Sequence, residues 1–383
     1  MRLLHTSDWH FGKRLHGVEL LDAQATFVDW LVEVVSDQSI DVVIVAGDIY
    51  DRSTPAVDAI RIFDRAITQL AATGVPIVMI SGNHDSGPRV GTYARLLKVA
   101  QVHVATDPAA VGAPVVLTDD HGEVAIYPLP YLDPTLTRDT LEAAAANHTD
   151  VLTAAMARVR ADLTQRPGAR SVVVAHAFVA GGSTSESERD VSVGGAAVVP
   201  VSTFDDINYT ALGHLHGPQT MGNTVRYSGS PLAYSFSEAD HTKSVTIVDL
   251  AADGSVSITT VDTPIPRALV TLTGTLDDLC TSATHTDHEQ AWVRAIITDP
   301  LLPTGPMDRL RQRFPHALHL EHRPERTTEA APETRAERLD GLDDLAIMVE
   351  FFTEQVGDAP SDAERSVFAE AVEATRSAEA TSS

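Results

Sequence analysis

Cysteine is almost missing from this 383-residue chain: Cys280 is the only one. No intramolecular disulfide framework can form, and the chain suits a reducing compartment. Aromatic residues are sparse at 5%, and no apolar run reaches the roughly 20 residues that a bilayer-spanning helix needs. With neither a signal peptide nor a membrane span to be read, the expected location is the cytoplasm. Positive charge is the last shortage, with 28 Lys and Arg against 53 Asp and Glu and a formal charge of −25. That balance argues against broad attraction to nucleic acid, which rests on Lys and Arg. Part of the excess is segregated, since from Glu321 onward sixteen acidic residues face six arginines. An anionic polymer must therefore be held locally: by metals, by basic residues such as Lys13, Arg14 and Arg89, and by a partner.

Apolar content, at 43%, is ample for a sizeable core, and it is patterned. Arg2 to Ser7, Val42 to Ala46, Val75 to Ser81, Val172 to Ala175 and Tyr209 to Leu212 are short β-prone runs, several apolar nearly throughout, as in strands buried on both faces. Between them, Ala25 to Val35 and Val57 to Leu70 carry helical apolar spacing. Later strands, Val115 to Thr118, Gly122 to Pro128, Thr224 to Ser228, Ser244 to Asp249 and Ser255 to Val261, are separated by polar breaks. The pattern predicts an α/β fold, a two-sheet sandwich of mixed strands with a helical cover.

Polar motifs stand where those strands end: Asp8-Trp9-His10, Gly47-Asp48, Gly82-Asn83-His84-Asp85, His176 and Gly213-His214-Leu215-His216. Loops after strand ends gather on one edge of such sheets, so these residues are expected to converge. Asp8 and His10, two apart, reach one ion, which His216 completes. One carboxylate, Asp48, can bridge two metals roughly 3.5 to 4 Å apart. Asn83, His176 and His214 then form the second position. Mn²⁺ accepts this mixture of imidazole and oxygen, whereas Mg²⁺ is more often held by carboxylates and waters. Two aspartates only half cancel two divalent ions, so the pocket stays cationic and suits a phosphodiester. His84 is not needed as a ligand and is assigned as proton donor, with Asp51 as the candidate orienting partner and Arg52 as a candidate phosphate contact. Ser228-Gly229-Ser230 reads as a tight loop beside the metals rather than a nucleophile, because no spare His-Asp pair is placed to activate it.

With these residues in view, the chain resembles the calcineurin-like metallophosphoesterase superfamily, whose pattern is DxH, GDxxDR, GNH[DE], a lone His and GHxH in that order. All five fall within the first 216 residues. Within it, the sequence is similar to the bacterial SbcD nuclease subunits, relatives of the archaeal and eukaryotic double-strand-break repair nuclease. The stretches that carry this are His5-Thr6-Ser7-Asp8-Trp9-His10-Phe11-Gly12, Gly213-His214-Leu215-His216-Gly217-Pro218-Gln219, Tyr227-Ser228-Gly229-Ser230-Pro231-Leu232 and Ser235-Phe236-Ser237-Glu238. The resemblance implies an α-β-β-α metallophosphoesterase sandwich and Mn²⁺-dependent exonuclease and endonuclease action on DNA ends and hairpins, in repair, recombination and replication. It assigns Asp8, His10, Asp48 and His216 to one ion, Asp48, Asn83, His176 and His214 to the other, and a catalytic role to His84. Archaeal relatives tend to carry His near position 51, where this chain has Asp51, as in the phosphatase branch.

The rest of the chain divides by pattern. Asp262-Thr263-Pro264-Ile265-Pro266-Arg267 breaks the nuclease domain, expected at 1–264, from a small α+β unit at 265–322, a capping domain by the resemblance. A polar linker is expected at 323–338, a helix pair at 339–376 and a disordered tail at 377–383. The pair has apolar stripes (Leu342, Leu345, Ala346, Val349, Phe352, Val356; then Val367, Phe368, Ala371, Val372) that two short helices cannot bury alone. In the family such a pair binds the coiled-coil base of the SbcC ATPase, and the resemblance suggests a homodimer within a heterotetramer. Two other functions fit parts of the pattern: a small-molecule or phosphoprotein phosphoesterase on the same fold, and a non-enzymatic repair scaffold. The complete ligand set argues against the second.

Overall fold

The computed structural model describes residues 1–188, 198–324 and 342–382, with side chains to 375. It divides into two compact units, Met1–Leu269 and Val270–Ser383. The first unit is built on two six-stranded sheets. In one, strand Arg2–Thr6 lies parallel to Val42–Ala46, which is followed by Ile77–Ile80 and Val102–Ala105, also parallel. Its other neighbour is Ser244–Leu250, antiparallel, backed by Val256–Asp262. In the second sheet, Tyr209–Gly213 runs parallel to Arg170–His176, and that strand parallel to Gly122–Pro128; Val115–Asp119, Val225–Tyr227 and Gln219–Met221 complete it.

Alternate residues of a strand face opposite ways, and here both faces are covered. Leu4, Val43, Val45 and Met79 pack with Phe27, Leu31, Ala66 and Leu70 of helices Leu21–Asp37 and Val57–Ala72. Their neighbours Leu3, Val42, Ile44, Val78 and Ile80 meet Val124, Ile126, Val172, Val174 and Ala211 of the other sheet. On that sheet's outer side, Tyr127, Val173 and Ala175 pack with Val151, Ala155, Met156 and Val159 of helix His148–Leu163. The result is four layers, helix, sheet, sheet, helix. This is the predicted sandwich, and the continuous apolar strands follow from double burial. Helices Pro134–Leu141 and His148–Leu163 and the short edge strand Val102–Ala105 lie outside the elements expected from the sequence.

The second unit contains a three-stranded sheet of Leu269–Gly274, Trp292–Ile297 and Ala317–His322, with the last two parallel. Helices Leu276–Thr281 and Pro306–Arg313 cover it, around Leu272, Leu279, Val293, Ala295, Leu310 and Phe314. The predicted linker at 323–338 lies, from residue 325, outside the described residues. Helix Asp344–Val356 is capped by the Asp343 carboxylate, which accepts from the Ala346 amide at 2.8 Å, and it stops at Gly357 with φ +90°. The next helix, Asp362–Ser382, packs on it through Phe352 and Phe368, ring centres 5.4 Å apart. The tail expected to be disordered is thus helical to Ser382. Its Ala- and Glu-rich sequence favours helix, and no Gly or Pro interrupts it. Among the described residues, no helix is long and apolar enough to cross a membrane.

Candidate metal centre

Sheet register brings the motifs to one edge. His176 ends its strand directly beside Gly213, so His214 and His216 begin next to it. From the other sheet, the Asp8 amide donates to the Gly47 carbonyl at 3.1 Å and the His10 amide to the Asp48 carbonyl at 3.0 Å, joining the first two loops side by side. Asp8, His10, Asp48 and His214 all have left-handed backbones, with φ of +53°, +44°, +48° and +107°. Such conformations are uncommon outside glycine and persist where the surroundings enforce them, often at functional sites. Glycines make the close approach possible. A Cβ on Gly82 would lie 2.1 Å from Asp48 Oδ1, and one on Gly213 would lie 1.9 Å from the Ala46 carbonyl.

The seven predicted ligands meet there. Ligand atoms of Asp8, His10 and His216 lie within 4.8 Å of one another, as do those of Asp8, Asp48 and His176. Asp48 Oδ2 is 3.5 Å from both His10 Nε2 and His176 Nε2, which puts this carboxylate between the two positions. Asn83 Oδ1 is 2.8 Å from His176 Nε2 and 3.4 Å from His214 Nδ1. Both sheets contribute: Asp8, His10, Asp48 and Asn83 come from one, and His176, His214 and His216 from the other. His176 donates its Nδ1 hydrogen to the Ala46 carbonyl at 2.9 Å, which turns Nε2 inward. Bonds across the seam run from the His214 amide to the Asp8 carboxylate, at 3.0 and 3.2 Å.

These residues suit a pair of divalent ions. His10 Nε2 and His216 Nε2 confront each other at 3.1 Å, and the buried His10 Nδ1 has no hydrogen-bond partner among the described residues. Two imidazole nitrogens aimed at one point beside a carboxylate form a ligand arrangement, and the mixed nitrogen and oxygen set is that of a borderline metal. Burial pushes the Asp8 carboxyl up to about 6. Burial also works against charge on Asp48 and His176, yet each offsets it for the other, holding Asp48 well below the carboxylate range and lifting His176 to about 9. His214, buried beside His176, is lowered to about 3.

His84 is buried at the same centre, its ring 4.7 Å from that of His10 and its amide donating to Asp48 Oδ1 at 2.9 Å. Its orienting contact differs from the one predicted. The Nδ1 hydrogen goes to the Asp51 backbone carbonyl at 2.8 Å, while the Asp51 carboxylate pairs with Lys13 Nζ at 3.1 Å. The loop turns its carbonyl inward and its side chain toward the lysine. The basic residues singled out for DNA are mostly engaged within the protein. Lys13 is held by Asp51, Arg14 pairs with Glu19, and Arg89 donates to the Ser53 carbonyl and the Thr54 hydroxyl. Arg52 is 83% exposed, its Nε 3.6 Å from Asp51.

Other groups at the centre escape sequence reasoning. Asp85, the last residue of Gly82-Asn83-His84-Asp85, accepts from the amides of Gly82, Ile49 and Tyr50 at 2.9 to 3.0 Å, so one carboxylate fastens two loops of the site together. Behind His216, fully buried Glu238 and Lys243 form an ion pair, and the Lys243 ammonium also donates to the His216 carbonyl at 2.9 Å. Burial alone would raise the Glu238 carboxyl, but the His216 ring and Lys243 hold it well below its usual range. The Tyr234 hydroxyl donates to the Trp9 carbonyl at 2.5 Å, tying this segment to the first motif. Ser228 is a loop residue, its hydroxyl 2.9 Å from that of Ser7.

A sandwich of this kind, with a bridging carboxylate and a histidine-rich edge, defines a metal-dependent hydrolase that binds divalent ions. The chain belongs to the calcineurin-like phosphoesterase family, whose model matches residues 1–218. A second family model, the type 5 capsule protein repressor C-terminal domain that bears the SbcD name, matches residues 265–356. This succession of domains is that of an SbcD-type nuclease subunit. Among solved structures, the chain is similar to a dimetal phosphatase from Danio rerio, at 13% identity and a TM-score of 0.42 over 68% of this chain and 96% of that one. It is also similar to the protein TT1561 of Thermus thermophilus, at 11% identity and a TM-score of 0.40 over 68% and 98%. Likeness at that level says nothing of activity.

Proposed function

We propose that this chain is the Mn²⁺-dependent DNA exonuclease and endonuclease subunit of an SbcC-type complex, opening DNA ends and hairpins in the cytoplasm during repair and recombination. The observation that carries the reading is the coexistence of seven candidate ligands gathered at one edge with a match to an SbcD C-terminal domain. A phosphatase acting on small molecules or phosphoproteins needs the first and has no use for the second. When bound, two divalent ions would supply positive charge for the phosphodiester and lower the pKa of a water. Asp48 holds both positions together, and the neutral Asn83 leaves the pocket cationic.

His84 serves the leaving oxygen. Its Nδ1 hydrogen is fixed on the Asp51 carbonyl, so the ring presents Nε2 to the reacting group and can deliver a proton there. With Lys13 and Arg89 committed to local contacts, the exposed Arg52 is the cation best placed to meet the DNA backbone. The remaining affinity comes from the metals and from the ATPase. We assign residues 265–322 to a capping domain and the two C-terminal helices to the coiled coil of that partner, in a heterotetramer built on a dimer of this chain. The half-exposed Phe351 and Val367 are consistent with such a docking face.

The test is degradation of linear duplex and hairpin DNA with Mn²⁺, by wild type and by His84→Ala. Cleavage by wild type with loss in the variant is expected. Equal cleavage by both, or phosphatase activity without any DNA cleavage, overturns the reading.

A further inference from the structure

His216 is gripped from four directions. Its amide donates to Glu188 Oε1 at 2.7 Å, and its carbonyl accepts from Lys243 Nζ at 2.9 Å. Its Nε2 faces His10 at 3.1 Å, and its Nδ1 lies 2.6 Å from Ser187 Oγ and 3.3 Å from Glu238 Oε1. The Ser187 hydroxyl is also hydrogen-bonded to Glu238 Oε1, and the second oxygen of Glu238 takes the Lys243 ammonium. Glu238 and Lys243 have side-chain exposures of 0% and 1%.

Donor and acceptor bookkeeping gives this chain one direction. A carboxylate paired with an ammonium only accepts, so the Ser187 hydroxyl must donate to Glu238. With its hydrogen used, the hydroxyl can only accept from His216, so Nδ1 carries the proton; the Ser185 hydroxyl, 3.0 Å away, can share the same oxygen. With the proton fixed on Nδ1, the Nε2 lone pair points at the first metal position. Lys243 holds the far end of the relay and the backbone of His216 at once, so ring and main chain are set by the same buried cation.

We propose that Ser187, Glu238 and Lys243 are positioning residues that lock the tautomer and orientation of His216, and so set the affinity of the first metal position separately from the second. This rests on the two-metal reading above. None of the three touches the second position's ligands, His176, His214 and Asn83, in the contacts described.

The experiment is Mn²⁺ titration of the full chain by calorimetry, for wild type, Glu238→Gln and Ser187→Ala. Thermal melting of the metal-free proteins checks folding, and ¹⁵N NMR of the histidine rings reads the tautomer. Glu238→Gln keeps size and shape but removes the charge. It should weaken one of the two ions about 10- to 100-fold, as loss of an outer carboxylate does, and leave the other at its wild-type affinity. Ser187→Ala should weaken the same ion about two- to tenfold, the weight of one neutral hydrogen bond, and the Nδ1–H signal of His216 should lose its preference.

Failure of wild type to bind Mn²⁺ would overturn the metal reading itself. Wild-type binding of two ions with unchanged affinities in both variants, or equal weakening of both ions, would overturn this proposal alone. Should Glu238→Gln fail to fold, Ser187→Ala decides, because it removes a single hydroxyl from a partly exposed residue.

Discussion

His84 gives its Nδ1 hydrogen to the backbone carbonyl of Asp51 at 2.8 Å, not to that residue's carboxylate. A backbone contact survives substitution of the side chain, which separates two residues that the sequence joins in one motif. Asp51→Asn should cleave DNA within a few-fold of wild type, whereas His84→Gln should lose about 10²- to 10⁴-fold, the usual weight of a general acid. Single-turnover rates at saturating Mn²⁺ measure both.

Asp48 lies 3.5 Å from a histidine of each metal position. Asp48→Asn should therefore abolish tight binding of both ions, while His216→Ala should cost one. Metal content after gel filtration distinguishes the cases, and two ions retained by Asp48→Asn would exclude a bridging role.

Gly82 leaves no room for a side chain, since a Cβ would sit 2.1 Å from Asp48 Oδ1 and 2.3 Å from the Asp48 amide. Both are fixed atoms of the site. Gly82→Ala should destabilise the protein by about 1–3 kcal/mol, as overpacking does, and displace the bridging carboxylate. Urea unfolding together with Mn²⁺ titration should show both losses in one variant.

His5 gives a pH dependence outside the ligand set. Its ring is fully buried between the sheets, 2.8 Å from the Tyr209 hydroxyl and 3.1 Å from the Leu212 carbonyl. Burial, helped by Arg226, lowers its pKa to about 3. The unfolded chain takes up this proton near pH 6.5, so between the two values the unfolded state binds more protons and stability falls as pH falls. Above pH 6.5 the ring is neutral in both states and contributes no slope. From pH 7.5 to 5.0 the metal-free wild type should lose about 2 kcal/mol more than His5→Gln, from roughly 1.4 kcal/mol per unit below 6.5. Parallel slopes for the two proteins in urea titrations would refute this.

The candidate ligands are legible because they stand at the ends of apolar strands and, His176 aside, belong to short motifs, and strand ends in such sheets converge. The groups behind them are not. Glu238 closes the Ser235-Phe236-Ser237-Glu238 stretch without a role that can be read there, Lys243 is a single polar residue beyond it, and their burial against His216 arises from strand Ser244–Leu250 joining the other sheet beside Arg2–Thr6. Asp85 has the look of a local cap, but its partners Ile49 and Tyr50 come from a loop more than thirty residues away. Helix His148–Leu163 does carry readable spacing in Val151, Leu152, Ala155, Met156 and Val159. It opens on the polar run His148-Thr149-Asp150, which masks its start. The inward turn of the Asp51 carbonyl depends on backbone angles that a motif does not encode.

Because the candidate ligands come from both sheets, a metal pair bound as proposed would also be a mechanical fastening. Elsewhere the two layers meet largely through aliphatic side chains, with a few polar contacts such as those of His5 with Tyr209 and Leu212. Ions seated across that seam would act as rivets, and a displacement of about an ångström between layers would pull donors away from both at once. Loss of metal would then be felt as loosened layers as well as lost cleavage, and mutations deep in the seam would register at the catalytic edge.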